Sequence, residues 1–130
     1  MPSLVETMAR WIVSLKRSQI PDIVMDETRL QVMSQLAAVH AGSRSPAGEA
    51  CRQASLMGSG PGEATVLPTG ERAPVSTAIL GNASQSMVHD YDDYLFLGHP
   101  GHSSFLTSLA VAEQTGATLE QMLVAQVAAN

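Results

Sequence analysis

The chain is poor in several things, and each shortage removes a class of function. One cysteine, Cys51, stands among 130 residues. No disulfide can close within the chain, which suits a reducing compartment. Seven lysines and arginines face twelve aspartates and glutamates, for a formal net charge of −5. The cations are scattered at Arg10, Lys16, Arg17, Arg29, Arg44, Arg52 and Arg72, and none follows Arg72. No basic stripe exists to neutralise a phosphate backbone, so the composition argues against nucleic-acid binding. No apolar run approaches the ~20 residues needed to cross a bilayer. The opening "MPSLVETMARW" carries Glu6 and Arg10 where a signal peptide needs an unbroken apolar stretch. The expectation is a cytoplasmic protein with no membrane or nucleic-acid partner. Hydrophobic residues at 45% against 15% charged are enough for a core and too many for a disordered tail. The length fits one domain, 1–130.

What is present reads mostly as helix. Leu4, Met8, Trp11, Ile12 and Leu15 follow helical spacing, and Ser3 with Glu6 forms a capping-box pattern. After Pro21 a second helix runs from about Asp22 to Ala41. Leu30, Met33, Leu36, Ala37 and His40 share its apolar face, and Gly42 is its stop. Ser45–Pro46 looks like a cap and first helical residue for a short helix ending near Met57. Residues 58–74 are broken by glycine and proline, and only "ATVL" from Ala64 reads as a strand, paired near Arg72. Helix returns over "VSTAILGNASQSMVHDYDDY". Its small polar residues imply either close packing and a cavity wall, or a frayed surface. Ser103 or Ser104 caps the next helix, with Leu106, Leu109 and Ala110 on its face and Gly116 as its end. Thr118 and Gln121 open a last one carrying Met122, Leu123 and Val127. No stop signal closes that last helix before Asn130, which reads as a frayed end or as a chain cut within a domain. The fold class is all-α, a helical domain with a small β excursion near residues 62–74.

Aromatics are scarce at 4%, yet both tyrosines and one of the two phenylalanines fall in one segment, "HDYDDYLFLGHPGH", His89 to His102. It also holds three of the four histidines and three aspartates. Histidine titrates near neutral pH, and a carboxylate beside it fixes its tautomer and raises its basicity. Asp90 and His99 flank a turn that could join them for general acid/base chemistry. A metal site is a second reading, since His99 and His102 are three apart with carboxylates nearby. That pair crosses Pro100–Gly101 and so is not a helical pair. A metal-dependent phosphohydrolase reading uses His89–Asp90 with His40, but His40 lies on an apolar face and no later aspartate exists beyond Asp93. Asp92 and Asp93 as paired carboxylates for glycoside chemistry would not face each other in a helix. The plain structural reading makes Asp90 or Asp92 a loop-ordering residue with solvated histidines.

"GEATVLPTGERAPVSTAILGNASQSMVHDYDDY", then "GHPGHSS", then "LAVAEQTGATLEQML" resemble the N-terminal part of the MmgE/PrpD family. That family includes 2-methylcitrate dehydratase, cis-aconitate decarboxylase and iminodisuccinate epimerase. Its pattern is a "PEATVLGTG" strand, an "ANG" within a helix, an "H-x-(L/M)-DFDD" segment, then "HPS" and "LALAE…G". The order is kept from residue 62 to about 123, and the earlier helices fit the family's opening. The resemblance implies the first part of a large helical domain that normally works with a smaller lid domain, usually in a homodimer.

The implied reaction is cofactor-free and metal-free acid/base chemistry on small di- or tricarboxylates: dehydration, decarboxylation or epimerisation. The family's first motif aspartate and its "HPS" histidine match Asp90 and His99, which the resemblance makes the catalytic pair. Tyr94, His102 and Asn82 are its implied substrate contacts. Two departures stand out: Tyr94 takes the place of a common threonine, and the loop from Asp90 to His99 is one residue shorter. The family's other catalytic residues lie further along the chain, and no cation lies near this segment. The chain is therefore expected to be incomplete as a catalyst by itself, a lyase or isomerase piece awaiting a C-terminal half or lid. The alternative is a non-catalytic helical interaction or dimerisation module, or a split subunit, derived from that family.

Overall fold

A computed structural model describes residues 1–94 and 98–130; residues 95–97 of the expected loop lie outside the described residues. Six α-helices and one two-stranded sheet follow in the order α1 (Leu4–Ser14), α2 (Asp22–Ser43), α3 (Pro46–Leu56), β1 (Ala64–Val66), β2 (Glu71–Ala73), α4 (Val75–Met87), α5 (Pro100–Thr115) and α6 (Leu119–Ala129). A 3-10 turn at Arg17–Gln19 joins α1 to α2. This is the mostly-α architecture with a β excursion that the sequence predicts. None of the described helices is long and apolar enough to cross a membrane.

Local signals explain most boundaries. Ser3 Oγ accepts the Glu6 N–H at the start of α1, although the Glu6 carboxylate pairs with Arg10 rather than turning back to complete the box. Ser45 Oγ accepts the Gly48 N–H, with Pro46 in the first helical position. Thr118 and Gln121 exchange both capping bonds, at 3.2 and 2.8 Å. Gly116 takes the left-handed conformation, φ 67°, that closes α5.

Two cores hold the elements together. Ile20, Met25, Val39, Phe105, Leu106, Met122 and Leu123 fill the space between α2, α5 and α6. Ala64, Val66, Ala73, Ala78 and Ala110 form a smaller cluster where the sheet meets α4 and α5. The antiparallel strands pair Ala64 with Ala73 and Val66 with Glu71.

Three expectations are corrected. The buried face of α2 is Met25, Thr28, Gln35, Ala38, Val39 and Gly42, while Leu30, Met33, Leu36, Ala37 and His40 are exposed. His40 is thus a surface residue beside Arg44, not a core histidine. Gly42 does not stop α2 but lies inside it, where α2 crosses α4; a Cβ there would strike the Gln85 backbone carbonyl. Helix α4 ends at Met87 rather than continuing to Tyr94.

The small polar residues of α4 pack closely. Gly81, Asn82, Gln85 and Ser86 are buried. The Asn82 amide accepts the Leu67 N–H at 2.8 Å and donates to the Thr65 carbonyl at 2.9 Å. Gln85 Nε2 donates to the Leu67 carbonyl. These side chains complete the backbone bonding of a strand paired on one side only, as buried peptide groups require.

Candidate acid/base site

The site forms where the chain leaves α4 and enters α5. After Met87 the backbone turns, with the Asp90 N–H bonded to the Met87 carbonyl at 3.2 Å. Asp90 sits at φ 56°, a left-handed conformation that Asp tolerates better than most residues. The reversal sends the three aspartates in different directions: Asp90 outward, Asp92 into the protein, Asp93 toward α2 and α5.

Helix α5 begins at Pro100, earlier than the Ser103 or Ser104 start predicted from the sequence. Proline is pre-shaped for the first helical position. His99 is the N-cap but makes no side-chain cap bond. Asp93 caps from a distance instead: both its oxygens accept the Gly101 N–H at 3.1 Å. The same carboxylate receives Gln31 Nε2 at 2.8 Å and Gln35 Nε2 at 2.5 Å from α2. Gly101 has no room for a side chain, since a Cβ would run into Asp93 Oδ1 and Gln35 Nε2. A negative group at a helix N-terminus is also favoured by the helix dipole.

This early start places His99 and His102 at the N-cap and third positions of one helix, so the pair does share the first turn. His99 Nε2 lies 3.5 Å from Asp90 Oδ1, and His99 Nδ1 lies 3.2 Å from Asp92 Oδ1. His102 Nδ1 is 3.7 Å from Asp92 Oδ2. The Tyr94 ring meets His99 edge-on, centroids 5.4 Å apart. The Asp92 side chain is 0% exposed, that of Asp90 80%. A cleft of about 360 Å³ is lined by Gly98, His99, Pro100, His102 and Ser103.

Of the residues expected at the site, Asp90, His99, Tyr94 and His102 are brought together. Asn82 is not at this cluster: it is 1% exposed, and its amide is taken up by β1. Two further residues matter that the sequence reading weighed only as a carboxylate pair or, for Asp92, as a loop-ordering residue. Asp93 fixes the start of α5. Asp92 lies buried under both histidines, with neither oxygen in a hydrogen bond among the described residues. The Pro100–Gly101 pair was the signal for the early helix start, and with it for a cap supplied from upstream. Among the described residues, Asp90, Asp92 and His99 each offer a donor atom within 4.8 Å of the others, the spacing a metal ion would need.

The model of the MmgE/PrpD N-terminal domain matches residues 6–130. The chain belongs to the MmgE/PrpD family, through that N-terminal domain. No curated protein and no solved structure matches it.

Proposed function

We propose that this loop and helix start form a cofactor-free acid/base site for small di- or tricarboxylates, of the kind used in dehydration, decarboxylation or epimerisation. The observation that carries the reading is the approach of Asp90 to His99 Nε2, 3.5 Å, beside an open cleft. In this reading His99 removes or returns a proton on the carbon next to a substrate carboxylate. Asp90 is its partner, and Tyr94 and His102 border the ligand. Positioned acid/base groups of this type contribute about 10²–10⁴-fold to a rate.

The anion formed by proton removal needs electrostatic stabilisation. The nearest ionic partners of the two histidines are Asp90 and Asp92, and no arginine or lysine joins them among the described residues. We therefore assign the cationic part of the site to a lid, a C-terminal half or a second subunit, and take residues 1–130 as the first part of a helical domain acting in a cytoplasmic homodimer. The chain by itself is then a binder that turns over poorly.

Calorimetry with citrate, cis-aconitate and 2-methylcitrate tests the proposal. Saturable binding by the wild-type chain, weakened at least tenfold (~1.4 kcal/mol) in His99→Ala with an unchanged circular dichroism spectrum, is expected. Equal binding by both proteins, or none by the folded wild type, overturns it and leaves the interaction module as the better reading.

A further inference from the structure

Asp92 is the anomaly of this site. Its side chain has no solvent exposure, and both oxygens lie buried without a hydrogen-bond partner among the described residues. A carboxylate in that position is costly unless it is paired or receives donors. Across its two oxygens stand two imidazole nitrogens, His99 Nδ1 at 3.2 Å and His102 Nδ1 at 3.7 Å. Those nitrogens are themselves buried with no hydrogen-bond partner among the described residues. Four unpartnered polar atoms thus face one another in two pairs. Better alignment of His99 and an approach of His102 by a few tenths of an ångström would turn both pairs into N–H···O bonds and satisfy all four.

We infer that Asp92 is a shared anchor for a two-histidine proton site, accepting Nδ1–H from both His99 and His102. The tautomer of a neutral imidazole is set by the bond its other nitrogen makes. Both rings are then held with Nδ1 protonated and the Nε2 lone pair free. His99 Nε2 lies 3.5 Å from Asp90, whose 80%-exposed side chain is free to swing aside and leave that lone pair open to the cleft. His102 is buried at Nδ1 and lines the cleft, so its accessible edge carries Nε2. Two proton acceptors, one at the N-cap and one at the third helical position, then address the same cleft. His102 becomes a second acid/base group for a small carboxylic acid, and Asp92 a positioning residue that acts through the two rings. This deepens the function proposed above and rests on it for the identity of the ligand.

Long-range ¹H–¹⁵N correlation of the imidazoles in the ¹⁵N-labelled chain reads the tautomers directly. The spectra are taken at a pH where each ring shows one protonated and one bare nitrogen, and assigned with His99→Gln and His102→Gln. His99 and His102 are expected as Nδ1–H tautomers. In Asp92→Asn the amide can accept from one ring but must donate to the other, so at least one ring switches to Nε2–H. Wild-type rings that are both Nε2–H, or that both average freely, overturn the inference. So does an Asp92→Asn spectrum unchanged from wild type. If Asp92→Asn does not fold, the wild-type and His102→Gln spectra still decide, because His99 should keep its Nδ1 proton without His102. Zinc titration is the remaining arm. A one-to-one shift of the Asp92-facing nitrogens to metal-bound values would also overturn it, making Asp90, Asp92 and His99 a metal site. No carboxylate is present in these spectra, so failure of carboxylate binding overturns the function and leaves the tautomers standing.

Discussion

Gly101 and Asp93 decide where a helix begins, and through it where two histidines stand. In most helix interiors replacing glycine by alanine gains ~1 kcal/mol. At Gly101 the sign should reverse, because the new Cβ meets Asp93 and Gln35. We expect Gly101→Ala to destabilise by about 1–3 kcal/mol in urea unfolding, the usual cost of overpacking. Asp93→Ala removes a distant cap and should cost about 1–2 kcal/mol by the same measurement. Asn82→Ala leaves the Thr65 carbonyl and Leu67 N–H of the strand segment without partners. It should cost about 1–3 kcal/mol, and carboxylate binding per folded molecule should be unchanged. At this scale the sequence showed where titratable residue types gather, but not their directions. Asp90, Asp92 and Asp93 are near neighbours in one motif, yet a left-handed residue sends each to a different job. Nothing in residue type marks which of them will be buried.

Among the elements, legibility depended on how local the cause was. Ser45, Thr118 and Gly116 act within one turn, and their helices begin or end where the sequence indicates. The face of α2 did not follow its apolar spacing, because two of its buried positions are Thr28 and Gln35. Thr28 bonds its own helix, and Gln35 reaches Asp93, a residue 58 positions away. Such long-range polar contacts leave no periodic signal. The α3–β2 junction makes a separate prediction. Arg52 bonds Glu49 and is joined to Glu71, tying the helix to the strand. Its bond to Glu49 is the main cause holding that carboxyl below its ordinary value of 4.5. Glu71 is also held low, first by the Thr69 hydroxyl and then by Arg52. Carboxyls lowered on folding add stability that is present above their unfolded pKa and lost as pH falls through the folded value. Arg52→Ala should therefore be less stable than wild type at pH 7. The gap should close on acidification below about 4.5, and also in high salt, since both carboxyls are exposed and screened. A gap that widened in acid would contradict the clamp.

Taken whole, the molecule leaves much apolar surface open. No residue of α1 is buried, and Leu4, Met8, Trp11 and Ile12 are exposed. Leu30 and Met33 of α2 are 62% and 65% exposed. Uncovered apolar faces of this kind mark interaction surfaces, so the chain should self-associate in a concentration-dependent way. Trp11→Glu with Met33→Glu should shift sedimentation toward the monomer without loss of helicity. The mostly-α class was legible because caps, glycine stops and helical spacing agree along most of the chain. The candidate site was legible in part, through the ordered MmgE/PrpD motifs, while the placement of Asp92 under both histidines required the fold. The account turns on whether the cleft at His99 and His102 holds a carboxylate. A citrate titration followed by ¹H–¹³C spectra of the four histidine rings tests it residue by residue. Saturable shifts at His99 and His102, with His40 unmoved, are the predicted result. Equal drift of all four rings, or no movement at His99, would contradict it.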